Sequence, residues 1–252
     1  MFRYALTIEY HGGPFVGWSR QPGQQSVQGC IEMALKSIDG RDHAIAVAGR
    51  TDSGVHAKGQ VAHCDMHKPW QPLQLMGAIN HYLKHLPISI VSCQSVSLSW
   101  HARFSAVQRR YLYRILSRLA PATHDGDLVW QIHHTLDLEA MRLAAKALIG
   151  RHDFTTFRSS HCQSASPVKT IDGISIETVS SWSGQETHIE ISARSFMHNQ
   201  VRSIVGSLER VGAGRWTPQQ FQCALDARDR KACGPVAPAQ GLHLISVSYE
   251  AD

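Results

Sequence analysis

The alternation of hydrophobic and polar positions predicts two successive runs of strands and helices. Residues 2–10 alternate with a period of two, which is typical of a half-buried strand. From Ser26 onward, apolar residues recur with a helical period, and Ser26 is suited to be the N-cap of that helix. The other elements predicted for the first half are strands at 43–48 and 59–65, a helix at 72–84 and a strand at 88–97. Their order is β-α-β-β-α-β.

The second half repeats this order of elements without repeating the sequence. A strand at 108–117 precedes a helix at 137–148, which ends at Gly150. Strands at about 168–179 and 186–195 flank a turn with the sequence SSWSGQ. The elements predicted after them are a helix at 197–211, a helix that opens at Thr217 with a capping box, and a strand at 242–249.

The repeated order predicts an α+β fold of two ferredoxin-like, RRM-like β-α-β-β-α-β halves. Such halves form a mostly antiparallel sheet with helices on one face. The predicted division is 1–104 for an N-terminal α+β subdomain and 105–252 for a C-terminal one, within a length of 252 residues that suits one domain or two. RRM domains bind RNA on the open sheet face, but ferredoxin-like folds host many functions, so the order of elements assigns none.

The composition is that of a globular protein with a modest positive charge. A hydrophobic fraction of 43% excludes disorder, collagen and coiled coil as the dominant state, and the net charge is +5. No acidic residue occurs between Asp65 and Asp125, so we expect a continuous positive surface that would suit a polyanion. A GC-rich genome would also enrich arginine, which leaves this interpretation open. The cations of the stretch are Lys68, Lys84, Arg103, Arg109, Arg110, Arg114 and Arg118.

Cysteine usage and the terminus bear on the compartment. The six cysteines include no CxxC pair, which is typical of free thiols in a reducing compartment. The N-terminus has no signal-peptide hydrophobic region, and the longest uncharged stretch, around 85–102, is too polar to span a bilayer. We therefore expect a cytoplasmic protein that does not associate with membranes.

The densest chemical signal is the segment AGRTDSGVHA, residues 48–57, between two predicted strands. Its two glycines permit a tight excursion of the backbone that presents Arg50 and Asp52. An Asp on a short loop can act as a nucleophile, a general base or a metal ligand, although Asp-Ser-Gly is also ordinary turn chemistry. The glycine spacing matches a P-loop, but Val55 and His56 stand where a P-loop has Lys and Ser or Thr.

The segment GRTDSGVHAKGQVAH resembles the signature of the TruA-type tRNA pseudouridine synthases. The similarity extends over nearly the whole chain, through the ordered matches IEYHGGPFVGWSRQ, SVQGCIEMAL, HARFSA with RRYLYRI, DFTTFR, FMHNQVRSIVG and APAQGLHL. Three positions depart from the family pattern. Ser19 stands where Gln is usual, Ser53 where Ala is usual, and His11 where Asp is usual.

The resemblance implies roles for individual residues. Asp52 would be the nucleophile in a cofactor-free conversion of uridine to pseudouridine. Tyr111 would stack on the target base, and Arg202 would pair with Asp52. The implied catalytic residues are Asp52, Tyr111 and Arg202. The implied substrate-binding residues are Arg50, Arg110, Tyr111, Leu244 and His56.

The residues themselves leave alternatives open for two of these roles. Tyr111 could be a core aromatic, although Tyr113, on the same face of the strand, is the better candidate for the core. Arg202 could be a surface cation, since most arginines are solvated, although its place at the edge of an apolar helical stripe supports the pairing role. That stripe consists of Met197, Val201, Ile204, Val205 and Leu208.

The resemblance also implies the substrate and the assembly. The substrate would be the anticodon stem-loop of tRNA at positions 38, 39 and 40, bound by a homodimer in a cleft to which both subdomains contribute. We expect no metal, because HExxH and CxxC are absent. Trp18 is the tryptophan predicted to reach RNA. Two other functions stay open: a tRNA-binding protein without catalysis, and a nucleoside-directed hydrolase that releases uracil.

Overall fold

The computed structural model describes residues 1–160, 162 and 164–250. Two compact units divide the chain. Unit 1 comprises Met1–Arg109 together with the chain from His243 onward, and unit 2 comprises Arg110–Leu242. The predicted division places the last strand, β10 (Leu242–Tyr249), in the second subdomain, whereas all of it except Leu242 belongs to unit 1. The order of elements along the sequence could not reveal that the end of the chain packs in unit 1, because the pairing joins residues far apart in the chain.

Unit 1 is an open sheet with two helices packed against each other. The strand order is β4-β1-β3-β10, and a short strand, β2, pairs with β3. The pairings of β1 are antiparallel, whereas β10 runs parallel to β3, with Leu244 opposite Ala57. The elements are β1 (Phe2–Tyr10), α1 (Val27–Asp39), β2 (Ala46–Val47), β3 (His56–Met66), α2 (Pro72–Leu83), β4 (Ile88–Val96) and β10 (Leu242–Tyr249).

The helices of unit 1 begin where the sequence predicts. The Ser26 side chain accepts a hydrogen bond from the Gly29 amide and caps α1, and Pro72 occupies the first turn of α2. Helix α1 packs on α2, and α2 packs on β4. Strand β2 is shorter than the predicted 43–48, and β3 begins three residues before the predicted strand at 59–65.

Unit 2 contains the second sheet segment and three α-helices. Its strand order is β5-β9-β8-β7, and β6 runs parallel to β5. The sequence predicts neither β6 nor β7, which are short. The elements are β5 (Ala106–Ser117, from Arg110 onward in this unit), β6 (Trp130–Ile132), α3 (Leu138–Lys146), β7 (Gly150–Asp153), β8 (Val168–Ser181), β9 (Gly184–Ala193), α4 (Gln200–Gly212) and α5 (Pro218–Ala227).

Capping residues fix the helices of unit 2. The capping box predicted at Thr217 is present, with Gln220 as its partner at the start of α5. Helix α4 begins at Gln200 and not at 197, because Asn199 adopts a left-handed conformation with φ 60°. Every residue of the predicted apolar stripe of α4 is buried. The predicted α+β class and the mostly antiparallel pairing of the strands are confirmed.

Candidate active site

The loop that joins β2 to β3 presents Asp52. We call residues 48–55 the Asp52 loop. Gly54 has φ +77°, and the Val55 amide donates to the Asp52 carbonyl oxygen over 3.2 Å, which closes a tight turn. Arg50 is exposed and Asp52 is partly exposed. The loop therefore presents a cation and a carboxylate on a short, closed turn, as the sequence predicts.

The loop that follows β1 packs directly against the Asp52 loop. A Cβ at Gly12 would lie 2.1 Å from the Val55 carbonyl oxygen, and a Cβ at Gly17 would lie 2.7 Å from that of Thr51. The Trp18 amide also donates to the Thr51 carbonyl oxygen over 3.0 Å. Only glycine permits backbones to approach this closely. The glycines that the sequence places in this loop thus fix the backbone on which Asp52 lies.

Hydrogen bonds from β1 and β3 also hold the Asp52 loop. Tyr10 Oη and Thr51 Oγ1 are joined over 2.8 Å, and Gln60 Nε2 donates to the Gly49 carbonyl oxygen over 2.7 Å. Burial raises the pKa of Tyr10 to about 12, although its bonds to Thr51 and Gln60 oppose the shift. Tyr10 is therefore a neutral structural group. Sequence reasoning assigned no role to Tyr10 or Gln60, although both lie in segments that resemble the family, because a contact with loop backbone is not visible in a motif.

The Ser53 hydroxyl donates to the Phe15 carbonyl oxygen over 3.2 Å. Ser53 stands where the similar family usually has Ala, and its hydroxyl adds a hydrogen bond between the two loops. The side chain is exposed, so this bond is a modest addition to the packing of the loops.

His56 lies inside a group of three histidine rings. Its side chain is 2% exposed, and its Nδ1 accepts a hydrogen bond from the Gly12 amide over 3.0 Å. The ring stacks on His243 with centroids 4.8 Å apart, and the His11 ring meets it edge-on at 4.6 Å. These contacts link the loop after β1 to β3 and β10. The substrate contact expected of His56 stays a prediction, and its described contacts are with protein groups.

In unit 2, two tyrosines of β5 are buried. Tyr113 is 0% exposed and its hydroxyl donates to the Pro238 carbonyl oxygen over 2.7 Å, which confirms the core role predicted for it. Burial raises the pKa of Tyr113 well above its ordinary value, so this phenol stays neutral. Tyr111 is 8% exposed, and its ring meets that of Phe196 edge-on at 5.3 Å. Tyr111 thus keeps slightly more access to solvent than Tyr113.

Arg202 lies in the first turn of α4 with its guanidinium held in a fixed orientation. Nε donates to the Ala237 carbonyl oxygen over 2.8 Å, and one terminal nitrogen donates to Asn199 Oδ1 over 2.9 Å. The side chain is partly exposed and bound to protein groups, and its predicted pairing with Asp52 stays a prediction. Arg110 is exposed, and one of its terminal nitrogens lies 3.6 Å from a carboxylate oxygen of Glu190.

Leu244 lies on β10, opposite Ala57 of β3, and is fully buried. It belongs to unit 1, the unit that carries Asp52, and not to the second subdomain as predicted. Leu242, the other leucine of the GLHL motif, is 6% exposed. The predicted contact of Leu244 with the substrate base stays a prediction.

The expectation of one continuous positive surface is wrong for three of its cations. Arg109 is buried and donates to the carbonyl oxygens of Ala48 and Arg103 over 2.8 and 2.9 Å. Arg114 is engaged by Glu186, and Arg118 donates to three backbone carbonyl oxygens. Linear sequence overstates such a surface because it does not show which cations are engaged by carboxylate and carbonyl groups of the fold. The exposed cations of the stretch are Lys68, Lys84, Arg103 and Arg110.

The prediction that Trp18 reaches RNA is also wrong. Its side chain is 1% exposed and packs near Tyr10, with ring centroids 6.2 Å apart. A buried indole has no free face on which a base could stack.

The part of the chain that the structure describes contains neither a metal-binding cluster nor a membrane-spanning helix. Among those residues, no three His, Cys, Asp or Glu side chains group together as metal ligands would. None of the described helices is both long and apolar enough to cross a membrane.

Comparison with known proteins gives consistent matches. A family model described as tRNA pseudouridine synthase matches residues 6–105 and 144–250. A protein of Cereibacter sphaeroides named tRNA pseudouridine synthase A is 61% identical over 100% of this chain and 99% of its own length. Proteins of the same name from a Ruegeria species and from Paracoccus denitrificans are 59% and 54% identical, each over 99% of this chain and 96% and 97% of their own lengths.

A solved structure with a remote similarity is the crystal structure of the archaeal box H/ACA sRNP Nop10-Cbf5 complex. The match has a TM-score of 0.37 and 11% identity, and it covers 92% of this chain and 60% of that chain.

Proposed function

The chain belongs to the tRNA pseudouridine synthase family, and we propose that it isomerises uridine at positions 38, 39 and 40 in the anticodon stem-loop of tRNA, with Asp52 as nucleophile. The observation that carries the proposal is the Asp52 loop, which bears the family motif and is held by close backbone packing. Positioning a reacting group in this way lowers the entropic part of the barrier. The coarser statement, isomerisation of uridine in tRNA, rests on the family itself.

The reaction exchanges one bond to the ribose for another. The N1–C1′ bond breaks, the base rotates, and C1′ bonds to C5. The proton leaves C5, and N1 gains one. A carboxylate at Asp52 is suited to attack C1′ or C6, or to stabilise a cationic sugar while a glycal forms. No electrons are gained or lost, so the proposal needs no redox partner.

The other predicted residues have roles that fit their settings. Extruding the uridine costs a few kcal/mol of unstacking. We propose that Arg50, whose side chain is exposed, offsets part of this cost by contacting the backbone phosphates. We propose that Tyr111 stacks on the extruded base and that Arg202 pairs with Asp52. The bonds of Arg202 to Ala237 and Asn199 hold its guanidinium within unit 2, which limits the entropy that such a contact would cost.

The decisive experiment is tritium release from tRNA that carries [5-³H]uridine, with wild type and Asp52→Asn assayed in parallel. Wild type should release tritium, because C5 loses its hydrogen. Asp52→Asn keeps the shape of the side chain but removes the nucleophilic carboxylate, so release should fall below detection while tRNA affinity stays within a few-fold. An Asp52→Asn variant with wild-type turnover would exclude Asp52 as the nucleophile.

Product analysis separates the other two functions. A hydrolase would release free uracil and leave an abasic ribose, whereas a synthase retains the base in the tRNA. A protein that binds tRNA tightly but yields neither product would be a non-catalytic binder. Substrates with a single uridine at position 38, 39 or 40, mapped by reverse transcription after carbodiimide treatment, test the proposed positions. Light scattering tests the proposed homodimer with and without tRNA.

A further inference from the structure

An exposed aromatic side chain lies in the loop between β4 and β5. Phe104 is 71% exposed, whereas Phe15, Phe154, Phe157 and Phe221 are each at most 2% exposed. A single exposed apolar residue is common on protein surfaces and would need no explanation alone. The neighbours of Phe104 and the rigidity of its loop distinguish it.

The ring of Phe104 is flanked by groups that suit nucleic acid. The Arg103 guanidinium carbon lies 5.7 Å from the ring centroid, within the range of a cation–π contact. The His101 ring centroid lies 4.4 Å from that of Phe104, at an interplanar angle of 37°. We call Phe104, Arg103 and His101 the aromatic platform. Aromatic rings accept stacked bases, and guanidinium groups bind phosphates and also stack on bases.

Four backbone carbonyl groups tie the loop of the platform to the body of unit 1. Arg3 donates to the carbonyl oxygens of Leu98 and Trp100, both over 2.8 Å. The Tyr249 hydroxyl donates to that of Ala102 over 2.8 Å, and Arg109 donates to that of Arg103 over 2.9 Å. The backbone beneath the platform is therefore fixed before any ligand binds, which lowers the entropic cost of binding.

One buried guanidinium connects the platform to the Asp52 loop. The terminal nitrogen of Arg109 that binds the Arg103 carbonyl oxygen also donates to the carbonyl oxygen of Ala48, over 2.8 Å. Ala48 and Ala102 belong to one buried apolar cluster. The platform thus lies beside the base of the loop that presents Arg50 and Asp52.

Charge around the platform favours a polyanion over a protein partner. The chain has no acidic residue from 66 to 124. The preceding one, Asp65, is engaged by two nitrogens of Arg3 over 2.7 and 2.8 Å, and Arg103 is exposed. Burial, with the charges of Arg3 and Arg103, lowers the pKa of His101, so its ring is neutral at neutral pH. The platform therefore offers one cation and two neutral rings.

We propose that the aromatic platform binds an unstacked nucleotide of the tRNA substrate, with the base on the Phe104 ring and a phosphate at Arg103. This inference rests on the proposed function, because it takes tRNA as the substrate. The platform is a binding surface and takes no part in the bond changes at the uridine.

The test compares Phe104→Ala, Phe104→Trp and Leu73→Ala. Leu73, on α2, is 74% exposed and serves as a matched control for the loss of an exposed apolar side chain. Phe104→Ala should weaken tRNA binding about tenfold, the size expected when one base loses an aromatic stacking partner. Its kcat at saturating tRNA should change by less than about threefold. Phe104→Trp should restore the affinity, and Leu73→Ala should leave it unchanged.

A second variant tests the phosphate contact. Arg103→Gln should reduce the slope of log affinity against log salt concentration by about 0.7, the value for one phosphate contact in a single strand. The slope should be unchanged in Leu73→Ala, which alters no charge.

The outcomes separate this inference from the proposed function. If wild type releases no tritium from tRNA, the proposed function fails whatever the platform variants do. If wild type is active and Phe104→Ala binds tRNA like Leu73→Ala, the platform is not an RNA contact. If Phe104→Ala changes the oligomeric state that light scattering measures in the absence of tRNA, the Phe104 ring belongs to an interface between copies of the chain. Either of the last two results overturns the inference.

Discussion

The position of Asp52 is fixed by residues for which we propose no part in the bond changes. One of them is His56. Its Nδ1 accepts a hydrogen bond from the Gly12 amide, and this bond joins the loop after β1 to the start of β3. The motif predicted that His56 matters, but its buried ring and its contact with His243 could not be inferred from spacing. They depend on β10, which returns from the far end of the chain.

A pair of substitutions isolates the bond from His56 to Gly12. The side-chain oxygen of Asn can replace Nδ1 of His, whereas the longer Gln side chain places its amide near Nε2. His56→Gln should therefore leave the Gly12 amide without its acceptor and unfold more easily than His56→Asn, by about 1–3 kcal/mol. Urea denaturation measures the difference between the two variants. Equal stabilities would show that the bond contributes little and that ring packing dominates.

At the scale of elements, the approach of two backbones positions the Asp52 loop. Gly17 combines φ +103° with the close contact to Thr51. Gly17→Ala should push the loops apart and lower kcat about 10- to 100-fold, the cost of displacing a catalytic group by about an ångström. Gly23 has φ +71° with nothing within 4 Å of an added Cβ. Gly23→Ala should cost roughly 1–2 kcal/mol of stability from backbone strain and keep its kcat. Similar kcat values for both variants would contradict this explanation.

Strands β5 and β9 are joined by an ion pair whose strength depends on pH. Arg114 donates to both oxygens of Glu186 over 2.8 and 2.7 Å, and the Glu186 side chain is 0% exposed. Burial alone would raise the pKa of Glu186, but its hydrogen bonds with His188 and Arg114 lower it well below its ordinary value. Because this pKa is lower in the folded state, the stabilisation is complete above the unfolded pKa of about 4.3 and is lost as the pH falls below it.

Glu186→Gln should therefore destabilise the protein by about 3 kcal/mol at pH 7, because Arg114 then keeps only the longer, 4.0 Å contact with Asp125 as a charge partner. The difference from wild type should shrink as the pH falls from about 5 to 3, as measured by chemical denaturation at each pH. Glu139, which is exposed and paired with Arg142, provides the control. Glu139→Gln should change stability by less than about 1 kcal/mol at any pH. If the difference in unfolding free energy between Glu186→Gln and wild type did not vary with pH, the proposed link between the Glu186 pKa and stability would be wrong.

Local sequence patterns predicted where helices and strands lie better than they predicted which strands pair. The caps at Ser26 and Thr217 are local, so both helix starts were predictable. Strands β6 and β7 were missed because segments of three and four residues are too short to show a period of two. The late start of α4 depends on the left-handed Asn199, which hydrophobic periodicity does not reveal.

At the scale of the whole molecule, the exposure of each cation predicts the affinity for tRNA better than the net charge of +5 does. Arg109 and Arg114 bind protein groups inside their units, so their charges stabilise the fold. Counterion release requires cations that can approach phosphates. The stretch without acidic residues was visible in the sequence, whereas the direction of each side chain depends on the strands and was not.

Two variants separate the charges that bind tRNA from those that hold the fold. Replacement of Lys68 and Lys84 by Gln should flatten the dependence of log affinity on log salt by about 0.7–0.9 for each phosphate that is no longer neutralised, without changing the melting temperature. Arg109→Gln should lower the melting temperature and leave the salt slope of the folded protein unchanged, since this buried group donates to carbonyl oxygens and not to phosphates. Fluorescence anisotropy of labelled tRNA across a salt series measures both slopes. A slope unaffected by the double lysine variant would place the phosphate contacts on other cations, with Arg103 and Arg110 the next to replace.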